Sequence, residues 1–135
     1  MSALKNVSLM IVLSVMIAVV TGCAKPEVKR VGMVIGLRPD TLQEYKVLHA
    51  DSTPGVRDLL NKYNIHNFCI FVQQIEGRWY EFGYYEYTGN DFVADKAALA
   101  KEPRNIKWNE NCSKMQIPLE GYNSWAKMEM VFHND

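Results

Sequence analysis

Residues 41–67 read TLQEYKVLHADSTPGVRDLLNKYNIHN, and this stretch decides the fold. Pro39-Asp40 precede it, and Thr41 and Glu44 have the spacing of a capping box, so a helix is predicted to begin there. Leu42, Tyr45 and His49 recur at i, i+3 and i+7 and share one helical face. A phenol and an imidazole one turn apart, beside an apolar side chain, can line a pocket that binds a polar ligand and moves its protons. The plainer reading is that a lone histidine on a mixed face is a hydrogen-bonded structural residue. The helix then pauses. Asp51-Ser52-Thr53 offers N-cap candidates, and Pro54 suits the first turn of a second helix. Val56, Leu59, Leu60 and Tyr63 give that helix a core face, and Asn64 reads as a left-handed stop.

Outward from this centre, residues 31–37 (VGMVIGL) are apolar and β-branched and predict a buried strand. Residues 65–74 (IHNFCIFVQQ) predict a second strand, and the turn Glu76-Gly77-Arg78 sends the chain back as an antiparallel hairpin. The returning strand, residues 79–87 (WYEFGYYEY), should present Tyr80, Phe82, Tyr84 and Glu86 on one face and Trp79, Glu81, Gly83, Tyr85 and Tyr87 on the other. A helix is predicted over 91–101, interrupted by Pro103, and a further short helix over 105–115 with Trp108, Cys112 and Met115 on one side. Residues 117–121 read as a loop, and residues 127–133 (KMEMVFH) as the last strand. This order is the split βαβ of a ferredoxin-like α+β fold: a four-stranded antiparallel sheet with helices on one face. The bare face needs cover, which predicts a homodimer packed sheet to sheet as an α+β barrel.

The chain has 135 residues, 48% of them hydrophobic, and its 15 basic and 15 acidic residues balance, so it carries no nucleic-acid footprint. Lys5 followed by the apolar run at 7–20 makes a signal-peptide pattern, shorter than the roughly 20 residues of a membrane span. The run ends in Val20-Thr21-Gly22-Cys23, which resembles the lipobox of bacterial lipoproteins. The resemblance implies a signal peptide at 1–22, lipidation of Cys23, a tether over 23–30, a folded domain at 31–135, and a cell-envelope location. In a Gram-negative host, Ala24 is compatible with the periplasmic side of the outer membrane. An uncleaved helical anchor is the competing reading. Cys69 and Cys112 can form a disulfide in that compartment or remain thiols, and no CxxC or His/Cys cluster points to a metal.

The folded region resembles the L-rhamnose mutarotase family from residue 31 to residue 134. Glu44-Tyr45 with His49 fits the family's E-Y-x-x-x-H pattern, and Pro54 falls at the Pro of its H-x-x-x-W-P-E run. His66-Asn67-Phe68 resembles H-N-Y at the second strand. Phe82 to Glu86 is similar to F-G-Y-x-E, Trp108 lies where the family has a tryptophan-rich helix, and residues 129–133 resemble a closing E-V-F-H strand. Thr53, Gly55 and Phe68 depart from the family's Trp, Glu and Tyr, and a second tryptophan beside Trp108 is missing. The resemblance implies interconversion of the α and β anomers of L-rhamnose or a related deoxyhexose, without cofactor or metal. It makes His49 the acid/base and Tyr45 a sugar contact or proton relay. It implies that Trp108 stacks on the pyranose, with a core tryptophan as the equal competing reading, and Phe68, Tyr84 and Glu86 can line the same cavity. His66 and His133 are alternative proton handlers with structural readings. Two other functions compete: a non-catalytic envelope sugar-binding lipoprotein, and an unrelated use of the same fold, as a small monooxygenase-like or structural lipoprotein.

Overall fold

The computed structural model describes residues 27–134. The expected signal peptide at 1–22, Cys23 and the first part of the tether lie outside these residues. No helix among the described residues is long and apolar enough to cross a membrane.

The chain runs β1 (Lys29–Leu37), α1 (Leu42–Leu48), α2 (Arg57–Lys62), β2 (Ile65–Ile75), β3 (Arg78–Tyr87), α3 (Phe92–Leu99), α4 (Pro103–Met115), β4 (Gln116–Ile117) and β5 (Ala126–Met128). All pairings are antiparallel, in the order β2-β3-β1, with β4 and β5 sharing the outer edge of β1. The result is a curled antiparallel sheet with four strand positions, the fourth built from two pieces. With helices on one face, the architecture is the α+β, ferredoxin-like arrangement that the sequence predicts.

The hairpin joining β2 and β3 turns on Glu76 and Gly77, with φ of 49° and 79°. Two left-handed residues make a turn whose twist matches that of the strands. Strand β3 alternates as expected. Glu81, Gly83, Tyr85 and Tyr87 are buried, while Tyr80, Phe82, Tyr84 and Glu86 are partly open. Val31, Tyr85 and Tyr87 pack against Val56, Leu59 and Leu99, and Leu37 packs with Tyr45, Cys112 and Met115. All four helices therefore bury their apolar sides on one face of the sheet.

Several local expectations are corrected. Thr41 does not cap α1; its hydroxyl donates to the Arg38 carbonyl at 3.0 Å, inside a 3₁₀ turn at Pro39–Thr41. Helix α2 begins at Arg57 rather than at Pro54, because Gly55 adopts a left-handed φ of 57° and takes the chain past Trp108 first. Pro103 opens α4 instead of merely breaking α3, as its fixed φ suits a first helical turn. The predicted last strand at 127–133 is laddered only over Ala126–Met128, and the residues beyond run on exposed, with Val131 at 89% and Phe132 at 80%. Ile117 pairs with Gly36 where a loop was expected.

One feature of β2 matters for the site. Between His66 and Cys69 the register to β3 shifts, and Asn67 takes a left-handed φ of 51°. This is a β-bulge, with asparagine at the position that tolerates αL. Strict alternation from the buried Ile65 would point Phe68 outward. The bulge turns it inward over Tyr85 and turns Cys69 out. Cys69 and Cys112 therefore lie on opposite sides of the sheet, and both are free thiols.

Candidate active site

Helix α1 is short because a loop must leave it at His49. Tyr45 is its one buried residue, and His49 is its C-cap. The His49 ring stacks on Tyr45 with centroids 4.0 Å apart and planes at 28°. His49 Nδ1 lies 2.9 Å from the Tyr45 carbonyl oxygen. A carbonyl can only accept, so Nδ1 carries the proton and the neutral ring keeps its lone pair on Nε2. Burial holds the His49 pKa below the usual histidine range. The Tyr45 carbonyl opposes that shift, and the Arg57 charge adds to it.

Arg57 also clamps the loop after α1. Its guanidinium donates to the carbonyls of Thr53 at 2.7 Å and His49 at 2.9 Å, and pairs with Asp51 at 3.3 Å. Trp108 of α4 stands edge-on to His49, with centroids 4.9 Å apart and planes at 72°. A Cβ on Gly55 would come within 3.2 Å of the Trp108 ring. The glycine that departs from the family pattern is thus the seat of the indole. Phe68 meets Tyr85 edge-on at 5.6 Å. Trp108, Phe68 and Tyr85, together with Met33, Lys96 and Trp125, line a cavity of about 380 Å³. This volume suits a small ligand, and its lining is aromatic with a few polar groups, as sugar sites require.

Next to Tyr45 lies a group that sequence reasoning placed on the right face but did not single out. Glu81 is 0% exposed. Gln116 Nε2 donates to its Oε2 at 2.9 Å. Its Oε1 and the Tyr45 hydroxyl are both buried without a hydrogen-bond partner among the described residues, and each acts on the other's ionisation. Burial pushes the Glu81 carboxyl up to about 7 and, with the nearby carboxyl, pushes the Tyr45 phenol far above its ordinary range. Burial likewise pushes the Cys112 thiol up to about 12, so it is an inert core group.

The structure brings Tyr45, His49, Trp108 and Phe68 to one side of the sheet. Tyr84 and Glu86 are not with them. They lie on the opposite face of β3, where the Tyr84 hydroxyl donates to Glu86 Oε1 at 2.8 Å and Asn67 Nδ2 donates to Glu86 Oε2 at 2.7 Å. Arg30 completes that cluster at 3.7 Å. These donors hold the Glu86 carboxyl below the usual carboxylate range, as a paired surface carboxylate. The expectation that Tyr84 and Glu86 share a cavity with His49 is corrected: odd-numbered residues of β3 face the helices, and these two are even. His66 is tied to Asn61 at 3.1 Å, and His133 lies in the exposed tail. Lys96 and Trp125 line the cavity without any local sequence signal, because each arrives from an element whose packing is set by distant contacts. Of the Tyr45–His49–Trp108 group, Trp108 alone lines the 380 Å³ cavity, and a second cleft of about 400 Å³, between β1, the hairpin turn and the segment after β4, includes none of the three.

The L-rhamnose mutarotase of Lactiplantibacillus plantarum is 32% identical over 53 residues, which is 39% of this chain and 51% of that relative. The match thus spans about half the length of the relative. The profile of the family described as L-rhamnose mutarotase matches residues 30–134. That span takes in every strand and helix of the domain except the first residue of β1, together with the Tyr45–His49–Trp108 cluster, and on it the chain belongs to the L-rhamnose mutarotase family.

Proposed function

We propose that the protein is a sugar mutarotase, interconverting the α and β anomers of L-rhamnose or a related deoxyhexose. One observation carries the reading: His49 is fixed through Nδ1 with Nε2 left as a base, and its ring meets Trp108, which lines an aromatic cavity of monosaccharide size.

The reaction follows from this arrangement. Nε2 accepts the proton of the anomeric hydroxyl as the C1–O5 bond breaks, leaving an aldehyde. The imidazolium returns a proton to O5, which is attached to the same carbon, so one ring serves both oxygens. Rotation about C1–C2 presents the other aldehyde face. The C5 hydroxyl then adds to it, and the protons retrace their path. Burial suits His49 to the task by keeping it neutral near pH 7. Tyr45 supports the ring from below and supplies the carbonyl that sets its tautomer. Trp108 offers a plane for the pyranose, and Phe68 closes the rim. A positioned acid–base group contributes typically ~10²–10⁴-fold. That is sufficient for a reaction that already proceeds in water.

We further infer a homodimer formed through the outer sheet face, and a lipid anchor on Cys23 that holds the domain at the cell envelope. The outer face and the exposed tail support the first; the lipobox-like residues 20–23 support the second. Incorporation of labelled fatty acid that is lost in Cys23→Ala tests the anchor.

Saturation-transfer NMR with L-rhamnose and L-fucose tests the activity. Exchange between anomer signals should exceed that in buffer and vanish in His49→Ala. Binding without exchange would identify a non-catalytic sugar-binding protein instead.

A further inference from the structure

Two indoles line the aromatic cavity, and the fold treats them differently. Trp108 comes from the helix layer and packs against both hydrophobic clusters of the core. Trp125 comes from the sheet layer, one residue ahead of β5, and belongs to neither cluster. It is half-buried, at the end of a segment that is exposed from Glu120 to Ser124. A tryptophan side chain has a large apolar surface, and one that is not spent on the core is available to a ligand.

The sheet is shaped to receive this indole. The ladders set Met33 opposite Lys127 of β5 on one side and opposite Gly83 of β3 on the other. Trp125 starts at the β5 edge, yet its Cζ3 would lie 3.3 Å from a Cβ built on Gly83. The indole therefore reaches across β1 to β3. Gly83 lies on the inward face of β3, between the buried Glu81 and Tyr85. Its missing side chain leaves the space into which the Trp125 ring and the Met33 side chain fit, with Met33 Cε only 2.9 Å from the same Cβ position. Ser124, the preceding residue, lines the cavity as well, as does Asn109 of α4. An aromatic plane with hydroxyl and amide groups beside it is the combination that recognises a sugar ring.

We propose that Trp125 is a sugar-contacting residue, a sheet-borne plane that holds the pyranose against the helix-borne Trp108, and that Gly83 is the positioning residue that seats it. The inference rests on the mutarotase reading for its substrate, a neutral deoxyhexose, and assigns Trp125 to binding rather than to proton transfer.

The test uses the full chain with L-rhamnose and L-fucose. The protein has three tryptophans, so three indole N–H signals can be assigned in a proton–nitrogen NMR spectrum. Trp79 lines the other cleft and serves as the internal reference. Added sugar should move the Trp125 and Trp108 signals and leave that of Trp79 in place. In Trp125→Ala, KM for anomer exchange should rise on the order of 10-fold while kcat stays within about threefold, the signature of lost uniform binding. Trp125→Phe, which keeps an aromatic plane, should recover most of the loss. A tryptophan that only packs would lower the melting temperature in Trp125→Ala and leave KM unchanged. That result, or a Trp125 signal that saturating sugar does not move, overturns the inference and leaves the mutarotase reading standing. A moved Trp125 signal without anomer exchange supports the contact and overturns the mutarotase reading. Should Trp125→Ala fail to fold, Gly83→Ala crowds the indole without removing it and should raise KM in the same direction; an unchanged KM there overturns the seating role.

Discussion

Gln116 Nε2 donates to Glu81 Oε2 at 2.9 Å, and through that bond β4 holds a carboxyl that β3 has buried completely. Burial raises this carboxyl from 4.5 to about 7. The native state therefore keeps its proton across a window where the unfolded chain has lost it. Stability should be full below pH 4.5, fall as pH rises through 7, and level off above, by roughly 3 kcal/mol at about 1.4 kcal/mol per pKa unit. Urea unfolding of wild type and Glu81→Gln at pH 5 and pH 8 checks this. The variant should lose much of the pH dependence and gain stability relative to wild type at pH 8. Parallel curves for the two proteins would show that Glu81 titrates normally.

The His49 shift has its own pH signature. A base whose folded pKa lies below 6.5 is neutral over more of the acid range than a free histidine. The acid limb of kcat/KM for anomer exchange should thus inflect below pH 6.5, reporting the free enzyme. Its stability counterpart has the opposite sign to that of Glu81, because the native state binds this proton less tightly and loses stability as pH falls below 6.5. An acid limb centred above pH 7 would assign the proton transfer to another group.

Gly55 and Trp108 predict a coupled loss. At φ 57° a side chain costs on the order of 1–2 kcal/mol, and here its Cβ would also meet the indole at 3.2 Å. Gly55→Ala should destabilise the protein by about that amount and raise KM for the sugar more than it lowers kcat, since Trp108 shifts while His49 keeps its Tyr45 carbonyl. Thermal denaturation and steady-state anomer exchange measure the two effects. Unchanged KM would mean that Trp108 is a core tryptophan without contact to the sugar.

The fold was legible because its signals are local and periodic. The β3 alternation, the Glu76-Gly77 turn and the stop at Asn64 each depend on a few adjacent residues. The Tyr45–His49 pair was legible for the same reason, being one helical turn apart. What failed to read out depends on contacts far along the chain. The start of α2 is set by Gly55 passing an indole from α4, which no residue near Pro54 announces. The split fourth strand depends on how β1 divides its edge between two segments. A carboxylate in an aromatic-rich strand suggests that Glu86, with Tyr84, faces a ligand near His49, although their even numbering in β3 sets them on the other face, where Glu86 meets Asn67 and Tyr84 instead. Glu81 sat on the buried face in plain alternation; its burial beside Tyr45 required the tertiary packing of α1 on β3.

The outer face of the sheet carries the last prediction. Val34, Tyr80, Phe82 and Tyr84 are only partly covered there, Phe71 is 64% exposed, and the tail beyond β5 exposes Val131 and Phe132. Apolar patches of this kind on a small domain mark an interface, and a stable one needs about 800 Å² per partner. A second copy presenting the same face would cover the patch, with the two sheets packed on each other and the exposed tail beside the partner's edge. Light scattering after size exclusion should give a dimer at micromolar concentration. Phe71→Glu places a charge near the centre of that patch and should yield a folded monomer with unchanged far-UV circular dichroism, because the ring packs on nothing in its own chain's core. A wild-type monomer at 100-fold higher concentration would leave this face to a different partner. A Phe71→Glu dimer of full stability would move the interface elsewhere, to the surface around the tail, where deletion of residues 130–135 is the decisive second variant.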